Sequence, residues 1–265
     1  MTALSTLDSL YVPLHRIIPF SNVEGQGNRS SIFLQGCKLN CLYCHNPETI
    51  PRYAEGVSQV SLRYLYDQVM EAVPFIRGVT ISGGEPTLHH KKLIPLFHTL
   101  RTQGLSCYLD SSGFFDFERI RPLIEVTDKF LFDLKGEGMG LQTLCFDRKN
   151  RKGLIPNNIL SETQRIKTEN LTRNLSNLSK LLPLNKVEEV RLVFVRDFFD
   201  AFKLIDQLAI LLKPHPNVLL KIIRVHTKGA RDEQGLQDFV PSQGETDQLA
   251  DYAKKCGIDH ILTIY

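Results

Sequence analysis

The amino-acid sequence predicts an α/β protein whose strands form a parallel sheet. Three observations support this: short apolar segments rich in β-branched and aromatic residues recur along the chain, most are followed by a helical pattern, and 265 residues suit one compact domain. The predicted strands are Ser31–Leu34, Val79–Ser82, Ser106–Leu109, Phe130–Phe132, Val190–Val195 and Val218–Ile223. Such repeats form a closed or partial barrel or an open, doubly wound sheet, and the pattern alone does not distinguish these.

Helical patterns fill most of the gaps between these strands. Ser61 is a candidate N-cap for the first helix, and Gly104 is a candidate stop for the second. The predicted helices are Ser61–Val73, His90–Thr102, Asn170–Leu182, Asp200–Leu212 and Ser242–Cys256, and His260–Ile264 is a candidate final strand. The polar segment Arg148–Lys167 interrupts the alternation, and we interpret it as a surface insertion in an otherwise single domain of residues 1–265.

The composition is that of an ordinary globular protein. The net charge is +3, from 32 Lys and Arg against 29 Asp and Glu, which is too small an excess to indicate nucleic acid or a membrane as a partner. We find no run of about 18 apolar residues and no basic or apolar leader in Met1–Leu10. Three of the six cysteines are clustered rather than spread as in a disulfide framework. We therefore expect a reduced, cytoplasmic protein, and we also expect a monomer.

The most informative segment holds Cys37, Cys41 and Cys44 in the spacing C-x3-C-x2-C, directly after a predicted strand. Thiolates are soft ligands suited to iron–sulfur clusters, and a cubane takes four of them. Three cysteines on one loop would leave the fourth iron open for a substrate or cofactor, as catalytic metal sites do. The alternatives are three incidental cysteines or a zinc loop, in which His45 would be a strained fourth ligand.

With Tyr43 as its aromatic residue, C-x3-C-x-aromatic-C resembles the signature of the radical S-adenosylmethionine (SAM) enzymes. The resemblance implies a partial (β/α)6 TIM-like barrel of parallel strands, one [4Fe–4S] cluster bound by the three cysteines, and SAM chelated to the open iron. In this family the reduced cluster cleaves SAM to methionine and a 5′-deoxyadenosyl radical. Cofactor-binding roles are implied for Tyr43 and its neighbour His45.

A second motif follows the second predicted strand. Gly83, Gly84 and Glu85 resemble the GGE motif, which in this family binds the SAM amino group. Glycines permit close approach of the backbone, and a carboxylate can accept hydrogen bonds from an ammonium. The resemblance therefore implies that all three residues bind SAM.

The segments Asp110-Ser111-Ser112-Gly113 and Asp133-Leu134-Lys135 resemble the D-[TS]-[NS]-G and D-L-K motifs of the glycyl radical enzyme activases, of which pyruvate formate-lyase activase is the best known. In those enzymes the lysine reaches the SAM carboxylate, and the two aspartates bind a monovalent cation. The resemblance implies that Ser111 and Lys135 contact SAM. It also implies that Asp110 and Asp133 bind Na⁺ or K⁺.

Two further residues complete the predicted site. Arg191 is a charge inside an apolar predicted strand, which is costly unless it is paired. The resemblance implies that Arg191 is a catalytic residue that contacts SAM and the incoming peptide. His226 follows the sixth predicted strand and resembles a histidine near the SAM ribose, and an ordinary loop histidine is the alternative.

The segment Pro19–Arg29 resembles the activases' F-x-x-x-D-G-P-G-x-R opening, with Glu24 in place of the aspartate and Gln26 in place of the proline. These departures concern substrate positioning rather than cluster or SAM binding. The segments Ile17–Ser21 and Phe33–Cys37 are most similar to the YjjW-type activases. Residues 47–60 contain no cysteine, so we expect no ferredoxin-like insert and only one cluster.

These resemblances imply an oxidoreductase that activates a large glycyl radical enzyme. The radical from SAM would abstract a hydrogen atom from a backbone glycine of that partner, and flavodoxin or ferredoxin would supply the electron. We expect an open mouth in which Glu24, Arg29 and Arg191 hold the peptide. The alternative is a radical SAM enzyme acting on a small molecule, and a third reading is a non-catalytic iron–sulfur or zinc-binding module. The remaining cysteines are expected to be structural: Cys107, Cys145 and Cys256.

Overall fold

A computed structural model describes residues 3–146 and 168–265. The predicted insertion at 148–167 lies outside these described residues. The chain divides into two compact units. The first unit is formed by Met1–Lys38, Glu48–Ser111 and Phe115–Leu131, and the second by Leu39–Pro47, Ser112–Phe114 and Phe132–Tyr265.

The first unit contains a sheet in the order β3-β1-β2-β4-β5. Its strands are β1 (Tyr11–Ser21), β2 (Arg29–Leu34), β3 (Ser58–Ser61), β4 (Gly78–Gly83) and β5 (Ser106–Ser111). Its helices are α1 (Ala3–Asp8), α2 (Leu62–Glu71), α3 (His90–Thr102) and α4 (Phe117–Val126), with short 3₁₀ turns at Pro47–Thr49 and Pro86–His89. Strands β2, β4 and β5 are parallel, whereas β1 is antiparallel to both β2 and β3.

The second unit has the same alternation of strand and helix. Strand β6 (Lys129–Leu134) begins in the first unit and ends in the second. The elements that follow are α5 (Gly138–Cys145), α6 (Thr168–Leu181), β7 (Val187–Phe194), α7 (Ala201–Leu212), β8 (Leu219–Arg224), α8 (Gln243–Lys255) and β9 (Ile261–Ile264). Strands β7, β8 and β9 are consecutive and parallel. The parallel strands of both units confirm the predicted α/β class.

All six predicted strands are present, and each is an apolar segment. Five of them are mostly buried, whereas β8 has only two buried residues of six. Every residue of β2 is buried, as are five of the six residues of β4. The predicted N-cap is also confirmed: the Ser61 side chain accepts a backbone hydrogen bond at the start of α2. The side chains of Asp200 and Ser242, the first residues of two other predicted helices, do the same at the starts of α7 and α8.

The prediction of only parallel strands was incomplete, because it missed β1 and β3. Strand β1 is long, contains Pro13 and Pro19, and is mostly half-exposed, so it lacks the apolar run typical of a central strand. Helices α4 and α5 were missed for a related reason. Helix α4 contains Pro122, and α5 contains Gly138 and Gly140, which are residues that usually interrupt helices.

The register of the first sheet aligns the ends of two strands that carry motifs. Leu34 at the end of β2 pairs with Gly83 at the end of β4. Parallel strands present their carboxyl ends at one edge, where α/β folds place their sites. The segments after β2 and β4, which hold the first cysteine and the GGE motif, therefore leave the sheet side by side.

No helix among the described residues is both long and apolar enough to cross a membrane.

Candidate active site

The segment around Cys37 belongs to the first unit and is fastened to residues further along the chain. The Gly36 amide donates to the Thr49 carbonyl at 2.8 Å, and the Cys37 amide donates to the Ile50 carbonyl at 2.9 Å. The Glu85 amide donates to the Gly36 carbonyl at 2.8 Å. The GGE motif and the first predicted cluster ligand are thus joined through the backbone.

Cys41 and Cys44 belong to the second unit, in a loop held by helix α5 and by Arg231. The amides of Asn40 and Leu42, on either side of Cys41, donate to the carbonyls of Cys145 and Leu144 at 2.7 and 2.8 Å. The Arg231 guanidinium donates to the Cys41 and Asn40 carbonyls at 3.0 and 2.9 Å, and its amide donates to the Cys44 carbonyl at 2.9 Å. The loop is therefore positioned by hydrogen bonds to its main-chain atoms.

A buried group of polar side chains surrounds Cys41 in this unit. A hydrogen bond with the Cys145 thiol is the largest factor that lowers the pKa of Cys41, against the opposing effect of burial, and the charge of Lys135 lowers it further. The Tyr43 hydroxyl lies 3.6 Å from the Cys145 sulfur. Burial raises the pKa values of both Tyr43 and Cys145. Cys41 is thus the thiol of this pair that is favoured as a thiolate.

Lys135 and Asp133 form an ion pair beside this group. The Lys135 ammonium lies 2.6 Å from an Asp133 oxygen and 5.5 Å from the centre of the Tyr43 ring. Burial is the largest factor and disfavours the ammonium, but the charges of Asp133, Cys41 and Cys145 together with the hydrogen bond to Asp133 outweigh it, and the pKa of Lys135 is raised. Lys135 is therefore a buried cation that keeps its charge.

The three clustered cysteines fit an iron–sulfur cluster by their chemistry. None of the six cysteines, all of which are described, forms a disulfide. Cys37 and Cys44 are partly exposed and Cys41 is buried with a lowered pKa, and a thiolate is the form that binds iron. Within 3–146 and 168–265, no three His, Cys, Asp or Glu side chains converge on a position for a single metal ion. A cubane, in contrast, binds each thiolate at a separate iron.

Glu85 is a buried carboxylate with a defined set of donors. Its side chain is 3% exposed. One carboxylate oxygen accepts from the Thr87 hydroxyl at 2.6 Å, from the Thr87 amide at 3.2 Å and from the Ser111 hydroxyl at 2.9 Å. The structure thus brings two predicted SAM-binding residues, Glu85 and Ser111, into contact.

Gly84 is required by close packing rather than by its backbone angles. A Cβ atom at this position would lie 2.1 Å from the Gly36 carbonyl oxygen and 2.5 Å from its carbon. Gly83 has a positive φ of 106°, which favours glycine, and a Cβ atom there would also lie 2.3 Å from the Leu34 backbone nitrogen and oxygen. Close packing therefore requires both glycines of the GGE motif, and the backbone angle is a second requirement at Gly83.

We expect Gly84→Ala to lower the free energy of unfolding by about 3 kcal/mol, because both clashing atoms are backbone and cannot move aside. Gly244→Ala, in the first turn of α8, is the matched control, since a Cβ there meets nothing within 4 Å and alanine favours a helix by up to about 1 kcal/mol. Urea unfolding of both variants measures the difference. Equal free energies of unfolding would contradict this account of Gly84.

Asp110 and Asp133, the predicted cation ligands, have separate partners in the two units. An Asp110 oxygen accepts from the Ser82 hydroxyl at 2.9 Å, and Asp133 is paired with Lys135. In the second unit, the Asn174 side-chain amide donates to the carbonyls of Ser112 and Asp133 at 2.5 and 3.1 Å. Binding of a cation by the two aspartates stays a prediction.

Arg191 has a structural partner that the sequence prediction did not include. Its guanidinium lies 2.5 Å from Glu189, and the same carboxylate lies 2.6 Å from the Lys221 ammonium on the neighbouring strand. All three side chains are largely buried, so the cost of a charge within an apolar strand is offset by pairing. Arg191 and Lys221 thus share the Glu189 carboxylate.

His45 and His226 are brought together in the second unit. Burial lowers the pKa of His45, and the nearby positive charge of His226 lowers it further, while a hydrogen bond with the His226 backbone opposes both effects. The two predicted cofactor-binding histidines are therefore neighbours.

One expectation about the peptide-binding mouth is wrong. Arg29 is 1% exposed, and its guanidinium donates to the Thr80 and Ser106 hydroxyls and to the carbonyls of Val79 and Ser106 at 2.8 to 2.9 Å. It also stacks 3.6 Å from the centre of the Tyr108 ring. Arg29 is a core residue that holds β2, β4 and β5 together, because its donors satisfy polar groups between these strands.

Sequence reasoning missed four residues of this region. They are Cys145, Asn174, Glu189 and Arg231. Two had a signal in the sequence: Glu189 precedes Arg191 by two positions, which places both on one face of a strand, and Asn174 lies on the buried side of an amphipathic helix. Cys145 and Arg231 carried no such signal in the sequence, since their roles depend on contacts with a loop far away in the chain.

Comparison with known proteins agrees with this site. The profile of a family described as a 4Fe-4S single cluster domain matches residues 23–133. A Haemophilus influenzae protein whose name assigns it provisionally to the glycyl-radical enzyme activating enzymes is 70% identical over 264 residues, which is the full length of both chains. A pyruvate formate-lyase-activating enzyme of Staphylococcus aureus is 38% identical over 104 residues, which cover 38% of this chain and 41% of that one.

A solved structure shows the same fold. The crystal structure of QueE from Escherichia coli superimposes with a TM-score of 0.58 over 99% of this chain and 98% of that chain, at 15% sequence identity. This likeness supports the α/β fold with a mostly parallel sheet. The relatives found by sequence comparison identify the family. The chain belongs to the glycyl-radical enzyme activating enzymes of the radical SAM type.

Proposed function

We propose that this chain binds one [4Fe–4S] cluster through Cys37, Cys41 and Cys44, binds SAM beside it, and forms a glycyl radical on a large partner enzyme. The observation that carries the proposal is the loop of Cys41 and Cys44, which is held in place by hydrogen bonds to its main-chain atoms. When bound and reduced, the cluster would supply the electron that splits SAM into methionine and a 5′-deoxyadenosyl radical.

The residues of this chain would bind and orient SAM. Glu85, held by Thr87 and Ser111, would accept hydrogen bonds from the SAM ammonium. Lys135, which Asp133 keeps charged, would bind the SAM carboxylate. Further SAM-binding roles are proposed for Tyr43, His45, Gly83, Gly84, Ser111 and His226.

Arg191 would contact SAM and the peptide of the partner. We further propose that Asp110 and Asp133 bind Na⁺ or K⁺. The side-chain oxygen of Asn174 is buried and has no hydrogen-bond partner in the described part of the chain. It lies near Asp133 and is a further candidate ligand for such an ion.

The partner, the electron donor and the compartment follow from the same proposal. The partner is a glycyl radical enzyme, flavodoxin or ferredoxin reduces the cluster, and the enzyme acts as a cytoplasmic monomer. The peptide around the radical glycine enters an open mouth, since a glycine Cα must reach the 5′ carbon of SAM.

Deuterium transfer tests the reaction. We expect that a partner peptide of roughly seven residues, deuterated at the glycine Cα, transfers its label to 5′-deoxyadenosine in the anaerobically reconstituted enzyme, because the radical takes the Cα hydrogen. Unlabelled peptide is the control. Cleavage of SAM without label from the peptide, together with label from a small metabolite, would instead support a small-molecule radical SAM enzyme.

A further inference from the structure

A positively charged cleft of about 780 Å³ lies within the first unit, apart from the SAM-binding residues. Its floor includes Gly36, Thr87 and His90, and its rim is formed by side chains from the segments after β2, β4 and β5. The rim includes Lys38, Arg52, Tyr53, His89, Lys92 and Arg119.

The cations of this cleft are not neutralised by acidic neighbours. Lys38, Arg52 and Arg119 are exposed and Lys92 is half-exposed, and none of the four forms an ion pair with any residue in 3–146 or 168–265. Asp116 is the one acidic residue among those that line the cleft, and its carboxylate accepts the Arg119 amide at the start of α4. Since the whole chain carries only +3, this is a local concentration of positive charge.

Two histidines in the cleft respond to this charge. Burial is the main factor that lowers the pKa of His89, and the charges of Lys92 and Arg52 lower it further. Burial likewise lowers the pKa of His90, with Arg119 as the next contributor to the lowering. The cations therefore act together on the interior of the cleft.

The cleft is placed beside the first predicted cluster ligand. Gly36 and Lys38, which line it, are the neighbours of Cys37 in the chain. The side chain of Arg52 lies against Gly36, where its Cγ would be 3.6 Å from an added Cβ. A molecule seated in the cleft would therefore lie next to the cysteine that binds one iron under the proposed function.

From this placement we infer that the cleft is the docking surface for an acidic one-electron carrier protein, such as a flavodoxin or a ferredoxin. The inference rests on the proposed function. One electron leaves the carrier, which is oxidised, and reduces the chain's cluster by one electron, so no bond or proton has to move. Transient redox complexes bury small interfaces and depend on complementary charge. Four cations that form no ion pair within the described residues, with Tyr53 exposed among them, suit such a contact.

A site for a small anion would be built differently. It would need cationic groups that converge and are buried around the ligand, whereas these cations are spread around an open rim. Tyr53 is 92% exposed, which also suits the face of a macromolecule more than the wall of a pocket.

Binding of a recombinant flavodoxin and a [2Fe–2S] ferredoxin to the reconstituted enzyme tests the inference. At low ionic strength we expect the double variant Arg52→Glu/Arg119→Glu to weaken binding of the carrier by about tenfold or more and to remove most of its salt dependence. Arg121→Glu is the matched control: Arg121 lies two residues beyond Arg119 on α4, does not line the cleft, and already pairs with Glu118 at 2.6 Å. The inference would be overturned if the wild type and the double variant bound the carrier with equal affinity. It would also be overturned if inorganic phosphate competed for the cleft and neither carrier bound.

A second measurement separates this inference from the proposed function. The rate of SAM cleavage with the carrier is divided by the rate with dithionite for the same preparation, so that cluster content cancels. We expect this ratio to fall about tenfold in the double variant and to stay at the wild-type value in Arg121→Glu. An unchanged ratio would overturn the inference that the cleft is the docking surface. A wild-type enzyme that is inactive with dithionite would instead overturn the proposed function. In that case the binding measurement alone would test the docking surface.

Discussion

Cys41→Ala is expected to abolish both the iron–sulfur absorbance and the cleavage of SAM. With one of three thiolates removed, two remain to hold a cluster that requires at least three protein ligands here. The effect should be complete, because the other thiol near Cys41 belongs to Cys145, whose pKa is raised by burial and which is thus a poor ligand. Iron content, the visible spectrum and 5′-deoxyadenosine release after anaerobic reconstitution measure the loss.

Cys256→Ala is the matched control for this loss. Cys256 caps the end of α8, and its thiol donates to an Asp206 oxygen at 3.5 Å, so it takes no part in the site. We expect this variant to hold close to four irons per chain, as a [4Fe–4S] cluster requires. A stable cubane with full SAM cleavage in Cys41→Ala would refute the assignment of the ligands.

Glu85→Ala is expected to weaken SAM binding by roughly 10- to 150-fold while the cluster stays intact. Loss of one buried, charge-assisted partner costs about 1.5–3 kcal/mol, which corresponds to that range. Glu85 is held in place by Thr87 and Ser111, so little of the binding energy has to be used to order it. Calorimetry of SAM binding to the reconstituted enzyme gives the affinity.

Two further variants separate charge from local structure at this position. The Glu85 side chain also caps the turn Pro86–His89, so its removal should lower the free energy of unfolding by about 1 kcal/mol. Glu85→Gln keeps an acceptor for Thr87 and removes the charge, and Ser111→Ala keeps the charge and removes one donor. We expect Glu85→Gln to lose most of the SAM affinity and Ser111→Ala to lose much less. Wild-type affinity in Glu85→Gln would contradict a contact with the SAM ammonium.

Much of the fold was predictable because its signals are local. The six predicted strands are short apolar runs, most of them largely buried, and the caps at Ser61, Asp200 and Ser242 act within one turn of helix. Strand β1 was not predictable in this way. Its residues are mixed in polarity, and it becomes a strand because β2 and β3 provide partners on both sides.

Arg191 and Arg29 show where reasoning from the sequence was incomplete. Arg191 was a candidate because it is a charge inside an apolar predicted strand, and Arg29 because it belongs to the segment Pro19–Arg29, which resembles the activases' opening motif. The folded chain gives Arg29 hydroxyl and carbonyl acceptors from β4 and β5, and it gives Arg191 the carboxylate of Glu189. An isolated charge in the sequence therefore says that a partner must exist, but it does not say whether that partner is a substrate or the protein itself.

The sequence by itself determined the family of this protein, its cluster-binding spacing and the order of its motifs along the strands. These features lie within short segments, and the chemistry of three thiolates on one loop does not depend on the rest of the fold. Tertiary structure alone decided which side chains act on those motifs. Cys145 meets Cys41, Ser111 meets Glu85, and the cations of the cleft come together beside Cys37. The reason is physical: each contact joins residues far apart in the chain, and only the packing of strands and helices brings them within the few ångströms over which hydrogen bonds act.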